Sequence, residues 1–119
     1  MEMSTVNHTV KEHFDKRTPA VEATYKAILK AARSLGPVRE EAKKTSIHLV
    51  RKTAFAGVAT RKTALILTLK SASDLRNSRI AKREQASANR WHLEVRLVAP
   101  EEVDKELVTW LKNAYELAG

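Results

Sequence analysis

Cysteine is absent from the 119 residues. That excludes disulfides, thiolate nucleophiles, thiolate-bound zinc and iron–sulfur clusters. Aromatic residues are scarce, with two Phe, two Tyr and two Trp, so a base-stacking surface has to rest mainly on Trp91 and Phe55. No apolar run approaches the ~18 residues that a membrane span requires. The opening MEMSTVNHTVKEHF lacks the charged-then-apolar pattern of a secretory signal, and the expectation is a cytoplasmic protein with no membrane partner. There is also no Gly-rich phosphate loop, no nucleophile elbow and no pair of carboxylates in an acid–base arrangement. The sequence therefore leans away from an enzyme, offers no catalytic residue and implies no cofactor.

What is present is charge of one sign, concentrated in one place. The chain carries +8 overall and has an isoelectric point near 10.0. Between Lys43 and Arg96, thirteen Lys and Arg stand against Asp74, Glu84 and Glu94, a local net charge of +10, so the remainder is slightly acidic. A basic middle between two amphipathic ends suits an anionic partner. Apolar residues make up 43% and charged residues 30%, a composition that folds. The length fits one domain of the usual ~100–150 residues.

Residues 1–14 show little periodicity and read as a loose arm or a short helical lead-in, with a single domain over 15–119. Thr18 can cap and Pro19 suits a first helical position. Val21, Tyr25, Ile28, Leu29, Ala32 and Leu35 share one helical face, and Gly36-Pro37 stops the pattern. From Val38 the period changes to two, which predicts strands near 38–42, 46–51, 54–59, 64–69 and 91–98. Leu65, Leu67 and Leu69 fall on one face, as do Leu93, Val95 and Leu97, leaving His92, Glu94 and Arg96 on the other. One covered face and one wet face indicate an antiparallel sheet. The stretch SASDLRNSRIAKREQASANR reads as a long basic loop of the kind that binds or closes over a site, with room for a short strand or helical turn near 79–85. Pro100 to Leu117 reads as a second helix with Val103, Leu107, Trp110, Leu111 and Ala114 on one face. The fold class is α+β: a single antiparallel sheet of four to six strands with N- and C-terminal helices on one face.

Several separated words strengthen this reading. KKTSIHL, FAGV followed by a basic pair, RIAKRE, SANRWH and LVTWLKNAYELA, in that order, resemble the bacterial domain-of-unknown-function family number 5655 over residues 14–118. The resemblance implies two helices on an antiparallel sheet and supplies no activity, cofactor or catalytic residue. More distantly, the chain is similar in architecture to a group that includes iron chaperones of frataxin-like shape.

The candidate ligand-binding residues are Lys44, Thr45, His48, Arg61, Arg79, Lys82, Arg90, Trp91 and His92. Lys43-Lys44-Thr45-Ser46 falls at a hairpin turn, where ammonium groups, hydroxyls and backbone donors suit phosphate, although charged turns more often only keep a hairpin soluble. Arg61-Lys62 falls at the next turn and has the same two readings. His48 and His92, with Arg96 nearby, would make a pH-sensitive anion site if their strands meet; two ordinary surface histidines are the default, and a metal is disfavoured by the lack of further ligands at suitable spacing. Gly57 inside a strand marks either a bulge beside a core Phe55 or the floor of a pocket. Arg90 beside Trp91 suits stacking on a base or ring, unless Trp91 is core. Arg79, Lys82 and Arg83 are placed to reach an anionic partner. The leading expectation is a non-catalytic binding module for an anionic ligand or nucleic acid. The alternative is a homodimeric or protein-interaction module that buries the uncovered sheet face, with Val50, Ile66 and Val98 on it.

Overall fold

The computed structural model describes residues 8–119; the first seven residues of the expected arm lie outside the described residues. The order is a 3-10 turn, Lys11–Phe14, then α1 (Pro19–Arg33), β1 (Arg39–Ala42), β2 (Ile47–Val50), β3 (Ala54–Thr60), β4 (Leu65–Ser71), β5 (Ile80–Ser87), β6 (Arg90–Leu97), a short 3-10 turn at Pro100–Glu102, and α2 (Lys105–Leu117). The six strands form one antiparallel sheet in the order β1-β2-β3-β4-β6-β5. Both helices pack on the same face, α2 over β3 and β4 and α1 against α2 and β4.

Helix α1 forms where its flanks dictate. Pro19 occupies the first helical position behind Thr18, where a missing N–H costs nothing. The Thr18 side chain makes no capping bond; its carbonyl instead accepts from the Val21 N–H at 3.0 Å. Val21, Tyr25, Ile28 and Ala32 are buried, as helical spacing requires, and each large side chain so buried contributes about 1.5–3 kcal/mol. Past the helix, Gly36 has φ +152°, and a Cβ there would lie 2.3 Å from the Tyr115 hydroxyl. Only glycine fits that turn. The hydroxyl donates to the Pro37 carbonyl at 3.1 Å, fastening α2 to the α1–β1 connection.

The alternation in the strands supplies the core. Ile47, Leu49, Val58, Leu65, Leu67, Leu69, Val95 and Leu97 are almost completely buried beneath the helices, with Leu107, Trp110, Leu111 and Ala114 of α2 closing over them. Phe14 joins this cluster from the N-terminal 3-10 turn, its ring 5.2 Å from that of Tyr25.

Three expectations change. The stretch 71–90 is a loop only as far as Arg79: the strand for which 79–85 left room is present and longer, as β5, which hydrogen-bonds along β6 and forms an edge of the sheet. Only Ile80 of β5 packs against the core, and the residues after it are exposed on both faces, which is why no period-two apolar pattern marks it. The last helix begins later than Pro100: a 3-10 turn precedes it, and Asp104 caps α2 by accepting the Leu107 N–H at 3.1 Å. Val50, expected on the uncovered face, is buried because the register shifts between Leu49 and Val50.

That shift matters beyond Val50. Leu49 pairs with Ala56 and Val50 with Ala54, so Phe55 is the extra residue of a bulge in β3. Bulges re-aim the side chain they carry. Phe55 is fully buried, its ring edge-on to Tyr115 of α2 at 5.2 Å between centroids.

Candidate functional site

The β1–β2 and β3–β4 turns lie at the same end of the sheet, because antiparallel hairpins return to it on every second crossing. Lys44 and Thr45 on the first turn and Arg61 on the second therefore share one cavity of about 330 Å³, lined also by Glu12, His13, Arg17 and Thr60. The N-terminal segment completes it. Lys16 adopts φ +60°, a left-handed turn uncommon for a residue with a side chain, and it redirects the chain so that Arg17 enters the cavity. The Thr18 N–H then donates to the Lys62 carbonyl at 2.9 Å, pinning this segment to the β3–β4 turn.

A hydrogen-bond chain fixes the cavity wall. Arg17 Nε donates to Thr60 Oγ1 at 3.0 Å, and Thr60 Oγ1 donates to the His13 carbonyl at 2.6 Å. His13 Nε2 lies 2.8 Å from the Lys43 carbonyl; a carbonyl only accepts, so Nε2 carries a hydrogen. Nε is committed to Thr60, and among the described residues the two terminal nitrogens of the Arg17 guanidinium have no hydrogen-bond acceptor, which leaves their donors for a ligand. Glu12, the one carboxylate among the described lining residues, is 2.9 Å from His8 Nδ1. Among the described residues, no carboxylate forms an ion pair with Arg17, Lys44 or Arg61.

The uncovered face of the sheet carries a second depression, about 300 Å³, lined by Ser46, His48, residues 54–59, Thr68, Leu69, Lys70 and His92. His48 and His92 thus share a site, on opposite sides of it: β3 and β4 separate their strands. Arg96 is not part of this lining.

The remaining candidates lie elsewhere. Arg79 donates to Asp104 at 2.8 Å, Glu106 at 3.2 Å and the Glu102 carbonyl at 2.7 Å, and its guanidinium sits 5.8 Å from the Trp110 ring. Its donors serve the fold. The Asp104 hydrogen bond raises the Arg79 pKa, and the same bond holds the Asp104 carboxyl below its ordinary range, helped by the Leu107 N–H. Lys82 is exposed on edge strand β5, opposite Glu94. Arg90 donates to the Asn89 carbonyl at 2.8 Å, and the half-buried Trp91 pairs with Ser71 and Gln85. Both stand at the far end of β6 from the end cavity, a separation of about 25 Å along the strand. The basic middle is therefore divided among separate places. Arg17 precedes α1, far from both turns in the chain, so in sequence only the basic Lys16-Arg17 pair marks it.

Among the described residues, no group of three or more His, Asp or Glu is placed to hold a metal ion, and no helix is long and apolar enough to cross a membrane. The sequence matches DUF5655, a domain of unknown function, over residues 10–118. The chain belongs to that family. No curated protein and no solved structure matches it, so the expected frataxin-like similarity has no support from these comparisons. The DUF5655 match spans the N-terminal 3-10 turn, the sheet and both helices, so Arg17, Lys44 and Arg61 all fall inside the family's domain.

Proposed function

We propose that this DUF5655 domain is a non-catalytic binding module for an anionic, phosphate-bearing ligand, held in the cavity at the end of the sheet. The observation that carries the reading is the convergence of Arg17, Lys44 and Arg61 from three separate segments on one polar cavity that also presents the Thr45 side chain. Guanidinium groups bind phosphate oxygens in pairs, and Lys adds a point charge and Thr a hydroxyl donor. A volume of about 330 Å³ accepts a nucleotide phosphate chain or a phosphate of a nucleic acid backbone.

Titration calorimetry with ATP and with a short single-stranded oligonucleotide at low salt tests it. Binding that is lost in Lys44→Gln/Arg61→Gln supports the reading; absence of binding to either ligand, or binding indifferent to the double substitution, rejects it. The homodimer alternative receives less support, since among the described residues the uncovered face offers only a half-buried Ile66 and Val98, 42% exposed, as large apolar groups.

A further inference from the structure

The depression on the uncovered face exists because β3 leaves its floor bare. Antiparallel pairing puts His48, Gly57 and Thr68 in one row across β2, β3 and β4, and period two adds positions 55 and 59 to that face of β3. Position 55 contributes no side chain there, because the bulge carries Phe55 into the core against Tyr115. Position 59 contributes a methyl group and position 57 nothing.

Gly57 is not demanded by the fold. Its φ lies outside the left-handed region, and a Cβ built on it meets nothing closer than His48 Cδ2 at 3.9 Å, an ordinary van der Waals contact. A glycine within a strand costs roughly 0.5–1 kcal/mol relative to alanine, and β-branched residues suit strands better still. The cost is not returned by a turn or a close backbone approach. What the missing side chain provides is the hollow itself.

Lys70 supplies positive charge to the walls of that hollow. It stands with His48, His92 and Thr68 around an apolar floor, and no carboxylate is among the described residues that line it. The nearest acids on this face are Glu94, opposite Thr68, and Glu84, opposite His92; neither lines the hollow. Lys70 Nζ is 3.4 Å from Thr53 Oγ1, which holds the ammonium over the end of the floor beside the bulge. An apolar floor, a few convergent nitrogen-bearing side chains and a volume near 300 Å³ suit a small ligand rather than a macromolecule.

We infer that this hollow binds a small planar aromatic acid, its ring laid over residues 54–59 between His48 and Thr68 and its carboxylate turned to Lys70. The site and its ligand class are separate from the end cavity and its phosphate-bearing ligand.

The test uses amide chemical shifts of the whole chain titrated with benzoate and, as the uncharged counterpart, benzamide. Saturable shifts at Gly57, Thr68 and His92, with benzoate binding more tightly than benzamide, are expected. Gly57→Val fills the hollow: it should weaken benzoate at least about tenfold while raising the melting temperature, and ATP binding at the end cavity should persist. Lys70→Met should bring benzoate down to the affinity of benzamide. Absence of saturable shifts in the wild-type protein overturns the proposal, as does a Gly57→Val protein that binds benzoate unchanged. A fall in melting temperature for Gly57→Val also overturns it, because the glycine would then serve the strand.

Discussion

Arg79 and Asp104, 25 positions apart in sequence, are joined by a 2.8 Å hydrogen bond that ties the start of β5 to the N-cap of α2. The carboxylate that receives the guanidinium also receives the Leu107 N–H, so a single group closes the helix end and anchors the outermost strand.

Loss of that carboxylate should therefore be felt in two elements at once. Asp104→Ala is expected to lower the melting temperature more than Asp104→Asn, which keeps an acceptor for the helix N–H but loses the charge. The Asp104 carboxyl is held below its ordinary value in the folded state. Its contribution is thus fully present above the unfolded value near ~4 and is lost as pH falls through the depressed folded value. Acid titration followed by circular dichroism should show wild type losing stability below about pH 4 more steeply than Asp104→Asn.

Tyr25 gives the opposite dependence. Burial first, and then the 2.5 Å hydrogen bond its hydroxyl donates to Glu40, push its phenol well above the ordinary value. A raised phenol favours the protonated native state, so the stability it lends is present below about pH 10 and declines as pH climbs beyond that. Melting temperatures from pH 8 to 11 should fall less steeply for Tyr25→Phe, which is itself expected to cost about 1 kcal/mol at neutral pH through the lost hydrogen bond.

Phe55→Ala should cost about 3–5 kcal/mol in urea denaturation, the usual range for deleting a fully buried ring. The substitution removes the edge-on contact with Tyr115 and leaves a cavity between β3 and α2. A loss below ~1 kcal/mol would mean that the bulge does not depend on its side chain.

If the ligand of the end cavity is a nucleic acid, affinity should fall linearly on a double-logarithmic salt plot. Each of Lys44→Gln and Arg61→Gln should flatten that slope by about one. Arg79→Gln should leave the slope unchanged, since its guanidinium is already occupied by Asp104 and Glu106.

The parts of the fold legible in the sequence are those whose local chemistry and burial agree. Pro19 and Gly36 bracket α1, and the leucines of β4 alternate because one face is buried and the other is not. β5 was hidden for the converse reason: an edge strand that no helix covers has no need of alternating apolar residues, so IAKREQAS resembles a loop. For the end cavity, Lys44, Thr45 and Arg61 could be recognised as turn residues. Their meeting with Arg17 depends on which ends of the hairpins coincide and on the backbone reversal at Lys16, and neither is written in residue type. Gly57 and Phe55 were conspicuous in sequence as alternatives, bulge or pocket floor; the register shift at Leu49/Val50 makes both true, because the bulge that buries one bares the floor beside the other.

An open sheet has two rims, and here each is guarded. β1 ends the sheet on one side with Glu41 held between Arg39 at 2.9 Å and Lys43 at 3.5 Å, and β5 ends it on the other with Lys82, Arg83 and Glu84 in water. A further strand docking on either rim must strip water from these charges, against the repulsion between chains that each carry +8. Growth of the sheet from one copy to the next is opposed at both ends, so lysines and arginines that line neither cavity hold the protein back from fibrous assembly.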